Sequence, residues 1–517
     1  MTERPVSLGP WRLILPAALI LAVALLYFAF LPVSYSFDGT VFSHMLRRAL
    51  LTGDWLSLGQ VHHLLYVPLA YWLYRGLQAL AGYRVLEFFH LQMISLFFGA
   101  ATLALAGRFL RRLGLDLWRR LAGMAVIAFS FAFWLFSVDA EMHIPGLFFA
   151  MAGMLLLSGE ENRPPALAAA AACFAAAAGF HLTNALAILA ALAILAFRRT
   201  PWRRIALFAC FCAAGLLLRD GAYWRLGGAP LLRVFRDTLF GADRYAGYHV
   251  AFSRPLSPST LLASLLSVRT ALACGRGALP WAMAAATAAL LLVGLFAPAA
   301  SRPRLRALLA WPLLYLAFFS WWDPANMEFK IHVIVPLLLI ALAGLARLKP
   351  LPGAVLGFLL AGALLANNLA SGIAPLADIG RNADYQAAVA IRRATPENAQ
   401  VVITGRMEAY GHGKIYIPYF ASREVVILDW LLGKGNSLPA IAAELSRRAG
   451  AGQPVFALDE AALPNPALER LLSFHRVGGE DRRRWFAELR WTPVAELPGG
   501  RRLFRLQYPE LKETRFK

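Results

Sequence analysis

The chain is 517 residues long, 59% hydrophobic and only 16% charged, yet its formal net charge is +21. With a mean hydropathy of +0.56, this composition excludes a soluble globular enzyme. It also excludes a nucleic-acid partner, because the basic residues sit in short clusters between apolar runs and form no soluble basic face. The cysteines, Cys173, Cys210, Cys212 and Cys274, show neither metal-ligand spacing nor a disulfide framework.

Residues 12–33 are the first apolar run long enough to cross a bilayer. No small-residue cleavage site follows, so the run reads as an uncleaved anchor. Asp38 comes almost at once, in FDGTVFSHMLRRALLTGDW, an amphipathic stretch too polar to span. It has two readings. Asp38 is either the N-cap of the following helix, with Gly39 and Thr40 fitting a helix start, or a general base in a cleft at the membrane surface. Further spans are predicted at 85–107, 121–138, 143–158, 165–180, 183–197, 203–219, 279–297, 307–322, 331–346 and 351–370. The run 62–82, HHLLYVPLAYWLYRGLQALAG, is apolar enough to cross as well. Counting it would send the basic cluster at 108–120 outside. Leaving it out puts the clusters at 108–120, 198–204, 301–306 and 346–350 inside with Arg4 and Arg12. The run is therefore expected to lie along the outer surface as a juxtamembrane helix, giving about eleven spans and an outer C-terminus.

That topology gathers the ionisable groups outside. His62 and His63 open the juxtamembrane helix and Arg84 closes it, as interfacial polar residues or as donors to phosphate oxygens. The turn VDAEMH carries Asp139, Glu141 and His143; its two acids suit divalent-metal ligation, orientation of sugar hydroxyls, or a surface salt link. His181 and Asn184 in FHLTN can serve as caps of a helix-connecting turn. The loop at about 220–278 is aromatic and basic, which fits interfacial anchoring through a surface helix, or a lid or phosphate-binding element. WWDPANMEFKIHVIVP sets Asp323, Glu328, Lys330 and His332 at the mouth of a span, where ionisable residues are costly and default to a functional reading.

From about residue 376 the composition becomes that of a soluble domain. VVITG (401–405), REVVILDW (423–430) and PVFALDE (454–460) read as short buried strands, with helical segments at 412–420 and 437–450 between them. Ser437 is the expected N-cap and Gly450 the expected stop of the second. This alternation indicates a small open sheet of parallel strands. No glycine-rich phosphate fingerprint follows the first strand, so a nucleotide site is not expected. The chain divides into a membrane domain, 1–375, and an extracytoplasmic α/β domain, 376–517.

The order and spacing of these pieces resemble the GT-C superfamily of polyprenyl-phosphate-dependent glycosyltransferases, in the branch of aminoarabinose transferases and protein O-mannosyltransferases. The resemblance covers roughly residues 10–200. It rests on one span followed by Asp38, an amphipathic helix ending in Gly53-Asp54-Trp55, His63 with VPLAYW in a surface helix, and a span ending in an outer acidic turn. The chain departs from the family where Gly39 follows Asp38 in place of Glu, and where neither His62 nor His63 precedes a proline.

The resemblance implies a GT-C-like polytopic α-helical membrane protein with outer juxtamembrane helices, in the bacterial inner membrane, with its active site and α/β domain extracytoplasmic. It implies inverting transfer of one sugar from a polyprenyl phosphate to an acceptor hydroxyl of a glycan, lipid or protein. Asp38 then matches the catalytic base, and Asp139 or Glu141 the acid of the second outer loop. His62, His63, Arg84, His143, Glu328, Lys330 and His332 are the candidates for substrate and phosphate binding. A divalent cation, if used, would fall to Asp139 and Glu141. A ligase or polymerase joining lipid-linked glycans is the nearest alternative, and a lipid or sugar transporter the next.

Overall fold

The computed structural model describes residues 10–59, 62–159, 163–227, 256–296, 307–405 and 412–507. The chain forms two compact units, Met1–Pro32 with Phe42–Ala377, and Val33–Val41 with Asp378–Lys517.

The first unit is helical. Its described helices are α1 (Trp11–Ala29), α2 (Phe37–Thr52, whose first turn belongs to the second unit), α3 (Tyr66–Ala81), α4 (Glu87–Arg112), α5 (Leu117–Phe129), α6 (Phe131–Val138), α7 (His143–Leu157), α8 (Pro164–Phe180) and α9 (Leu186–Phe197). They continue with α10 (Trp202–Gly227), α11 (Pro258–Leu272), α12 (Ala278–Leu295), α13 (Ala310–Trp322), α14 (Ile331–Ala343) and α15 (Pro350–Asn368). Helix α4 is central and packs on α1, α5, α6 and α7. The Gly53-Asp54-Trp55 signature is a helix stop. Gly53 takes φ +76°, its N–H reaches the Ala49 carbonyl at 2.8 Å, and Trp55 meets Trp72 of α3 edge-on at 5.5 Å.

Among the described residues six helices are long and apolar enough to cross a membrane: Trp11–Ala29, Glu87–Arg112, Trp202–Arg225, Ala278–Leu295, Glu328–Arg347 and Pro350–Leu376. The pair Leu117–Phe129 and Phe131–Val138, bent by 67°, makes a seventh if it is one span. The chain is an integral membrane protein. The count stands below the expected eleven because several expected spans are short helices, such as the 15-residue α7, about 22 Å long against a hydrocarbon core of about 30 Å. Of the 220–278 loop, residues 228–255 lie outside the described residues. Its last part is α11, which packs on α6, α12, α13 and α14. That helix buries Ser264 and Ser267 while exposing Leu261, Leu262 and Leu265, the inverted amphipathicity of a lipid-facing element.

The bend after α5 frees carbonyls that cannot be left bare in an apolar interior. Asn368, fully buried at the end of α15, answers this: its Nδ2 donates to the Phe129 carbonyl at 2.7 Å and to the Leu272 carbonyl at 3.0 Å, and its Oδ1 accepts from the Cys274 N–H at 2.9 Å. Helices α12 and α14 approach backbone to backbone. A Cβ on Gly344 would lie 2.4 Å from the Leu290 carbonyl, so only glycine fits there.

The second unit holds the sheet, with strands β1 (Gln400–Ile403), β2 (Glu424–Ile427), β3 (Val455–Leu458), β4 (Arg490–Leu497) and β5 (Arg501–Gln507) in the order β2-β1-β3-β5-β4. The three strands expected from sequence pair in parallel. The antiparallel pair β4 and β5, turned by Pro498–Gly500 and bulged at Pro493/Ala495, was not expected. Alternate strand residues feed two cores. Val402, Val455 and Ala457 face a cluster with Ile441, Leu468 and Trp485, while Val401, Ile403 and Phe456 face α16 (Ala383–Ala394). Ser437 caps α17 (Leu438–Gly450) as expected, but the left-handed residue that ends it is Gly452, two residues past Gly450. The segment 33–41 is built into this unit. Asn382 Nδ2 donates to the Val33 carbonyl at 2.6 Å, Tyr416 donates its hydroxyl to the Tyr35 carbonyl, and the Tyr35 ring packs on Tyr385 and Phe420.

Candidate functional site

Asp38 is the second residue of α2. The N-cap is Ser36: its Oγ accepts from the Gly39 N–H at 3.2 Å and its carbonyl from the Thr40 N–H at 3.0 Å. This overturns the capping reading of Asp38, since a helix has one N-cap position and Ser36 fills it. Burial raises the Asp38 carboxyl from its ordinary value, which strengthens the carboxylate as a proton acceptor.

A polar cluster lies inside the first unit, assembled from five stretches of the chain. The turn after α8 pairs with the loop before α3, Leu182 N–H donating to the His62 carbonyl at 3.1 Å and Leu65 N–H to the Gly179 carbonyl at 3.0 Å. This sets His63 beside His181, with ring centroids 4.9 Å apart. His181 lies 5.2 Å from His143, the first residue of α7. His143 in turn lies 6.4 Å from His332 of α14, which stacks on Tyr315 at 5.2 Å. Tyr315 donates to Asn184 Oδ1 at 3.3 Å, and Asn184 Nδ2 donates to the Ala177 carbonyl at 3.0 Å. Gly146 on α7 permits this, since a Cβ there would lie 2.3 Å from Asn184 Nδ2.

His63 and His181 are held neutral. Burial, His62, His143 and the charge of Arg219 push His63 down to about 3, and burial with the other imidazoles holds His181 well below its ordinary value. His181 Nδ1 accepts from the Thr183 N–H at 3.2 Å, so the ring proton sits on Nε2. Both ring nitrogens of His143 and His332, and Nδ1 of His63, are buried without a hydrogen-bond partner among the described residues.

The acidic turn adjoins the cluster through His143. Asp139 ends α6 and accepts from the Ala140 N–H at 2.8 Å. The Glu141 carbonyl accepts from Ser95 Oγ at 3.1 Å, and Ser95 Oγ is 3.2 Å from the Tyr66 hydroxyl. Burial, then the nearby charges of Glu141 and Asp139, hold the Tyr66 phenol well above its ordinary value. Both acids are buried, which removes the surface salt link. Among the described residues no three His, Cys, Asp or Glu side chains converge as metal ligands.

Two candidates fall elsewhere. Arg84 follows the C-terminal end of the 16-residue α3, about 24 Å along the helix from the His63 end. Lys330 is fully buried, but its Nζ donates to the Asp323 and Asn326 carbonyls at 3.2 Å each, and Phe329 is the residue that touches His143 and His181. Lys330 thus ties its own loop. Glu328 joins the same turn through Asn326 Nδ2 at 3.3 Å. His62 lies 6.3 Å from His63, ring to ring. The group that sequence reasoning missed is Arg219, buried in the second half of α10 in an ion pair with Asp220. Its signal was available: two adjacent ionisable residues closing an apolar run.

No family model matches the sequence, and no curated protein matches it. Among solved structures the fold is similar to that of ArnT from Cupriavidus metallidurans in the apo state, with 13% identity, a TM-score of 0.60, and coverage of 95% of this chain and 97% of that one. It is equally similar to the same enzyme bound to undecaprenyl phosphate, with 13% identity, a TM-score of 0.61, and coverage of 96% and 98%. ArnT is an aminoarabinose transferase, a GT-C glycosyltransferase. The resemblance read from the N-terminal residues thus extends, as fold, over nearly the whole chain.

Proposed function

We propose that this integral membrane protein, with the fold of the aminoarabinose transferases, transfers a sugar from a polyprenyl phosphate to an acceptor hydroxyl on the extracytoplasmic side. The acceptor oxygen attacks the anomeric carbon as the bond from that carbon to the phosphate oxygen breaks. Asp38 takes the hydroxyl proton, and polyprenyl phosphate leaves with the bonding pair. Attack from the face opposite the leaving group inverts the anomeric centre.

The imidazole cluster carries this reading. A buried polar group without a partner costs about 1–3 kcal/mol, and His63, His143 and His332 together present five nitrogens that have none among the described residues. A sugar phosphate, rich in hydroxyls and phosphate oxygens, supplies partners for neutral imidazoles in both directions. In this reading Asp139 and Glu141 orient sugar hydroxyls, and the guanidinium of Arg219, whose field reaches His63, stabilises the leaving phosphate from within its ion pair with Asp220.

The test incubates purified protein with a radiolabelled polyprenyl-phosphate sugar and membranes that carry acceptors. Transfer of one sugar with stoichiometric release of polyprenyl phosphate supports the reading. Movement of intact donor between leaflets without release would make the protein a transporter, and joined glycan chains would make it a ligase.

A further inference from the structure

A second polar cleft lies at the opposite end of α3 from the histidines. It has a volume of about 460 Å³ and is walled by α2, the last turns of α3 and the link into α4. Three guanidinium groups, Arg47, Arg75 and Arg84, line it against one carboxylate, Glu87. Arg47 is committed to Glu87, with Nη2 at 2.9 Å and Nε at 3.1 Å from the same oxygen. Arg75 donates to the uncharged Gln78 at 3.1 Å. The cleft therefore keeps two positive charges without acidic partners among the described residues.

Its wall is fixed. Gly82, in the left-handed region at φ +63°, turns the chain back after α3. Tyr74 then pins the returning link by donating its hydroxyl to the Val85 carbonyl at 3.0 Å and accepting from the Val85 N–H at 3.3 Å. This holds Arg84 against the same cleft as Arg75. The surroundings are apolar and open, with Leu51 at 81% exposure and Leu80 at 88%, and Leu77 and Leu86 also exposed. Exposed leucines beside unneutralised guanidinium groups, on helices that are not among the six long and apolar enough to cross, fit a lipid–water boundary.

We propose that this cleft is a binding site for the phosphate head of an anionic membrane lipid, held by Arg75 and Arg84 with its acyl chains against the surrounding leucines. A planar guanidinium recognises phosphate oxygens in pairs, and the leucines account for what a free phosphate would leave uncovered. The site is distinct from the imidazole cluster, since α3 separates the two by about 24 Å. It does not depend on the sugar-transfer reading.

Full-length protein in uncharged detergent is titrated with phosphatidylglycerol, phosphatidylcholine or inorganic phosphate. Retained lipid is counted by native mass spectrometry and the unfolding midpoint is followed. Wild type should retain phosphatidylglycerol over phosphatidylcholine by about tenfold and gain stability from it. Arg75→Ala with Arg84→Ala should lose that preference while its lipid-free midpoint stays unchanged. Should the double variant fold poorly, Arg84→Gln alone should lower the preference several-fold. Equal retention of phosphatidylglycerol by wild type and variant would overturn the proposal. So would equal stabilisation by inorganic phosphate and phosphatidylglycerol, which would make the cleft an anion site with no lipid specificity.

Discussion

Gly146→Ala tests how the cluster is built. The new Cβ would lie 2.3 Å from Asn184 Nδ2 and 3.4 Å from its Cγ. Real contacts require the amide to retreat by about 1 Å. Asn184 is fully buried and holds two hydrogen bonds, to the Ala177 carbonyl and from the Tyr315 hydroxyl, so a retreat breaks both. Each is worth about 0.5–1.5 kcal/mol, and overpacking adds about 1–3 kcal/mol. The sum is a loss of about 2–6 kcal/mol, spread over Asn184, Tyr315 and the stacked His332. A shift of about 1 Å in a positioned group can cost about 10²-fold in rate. The assay is a double-mutant cycle with Asn184→Ala, read by unfolding midpoint and by sugar transfer. Gly146→Ala should be damaging alone and add little to Asn184→Ala, because the smaller side chain makes room for the methyl. Neutral Gly146→Ala, or additive losses, would refute the contact.

Asn368→Leu should destabilise the protein by at least about 3 kcal/mol, since it leaves the Phe129 and Leu272 carbonyls and the Cys274 N–H buried without a partner; thermal unfolding in detergent measures it. Acid should destabilise the fold. Below about pH 6.5 the unfolded imidazoles take up protons that folded His63 refuses down to about 3, so stability falls with pH by about 1.4 kcal/mol per unit for that ring. His63→Asn should flatten the dependence of the unfolding midpoint on pH. A cysteine introduced beside Arg111 should resist impermeant thiol reagents in intact cells, while one near residue 450 should react; the opposite labelling would mean that 62–82 crosses the membrane.

The sequence revealed periodic or locally signalled features. Apolar run length located most helices, and the alternation of VVITG, REVVILDW and PVFALDE located the parallel strands. The β4–β5 pair escaped because Pro493 and the adjoining bulge interrupt its alternation. Ser36 escaped because Asp38 is an equally good capping residue by type, and only backbone geometry separates them. The histidine cluster was beyond reach for another reason. His63, His143, His181 and His332 each sit at the end of a different helical segment, and nothing local says that four helix ends converge. Arg84 and Lys330 looked suited to phosphate by charge alone, yet one lies at the far end of α3 and the other is spent on carbonyls of its own loop.

The central claim is that Asp38 is the base of a sugar transfer, and comparing Asp38→Asn with Ser36→Ala tests it most directly. Turnover and unfolding midpoint are measured on the same preparations. A general base contributes about 10²–10⁴-fold, so Asp38→Asn should lose at least about 10²-fold in turnover while keeping its midpoint. Ser36→Ala should lose about 0.5–2 kcal/mol of stability and keep most of its turnover. Wild-type turnover in Asp38→Asn would contradict the account.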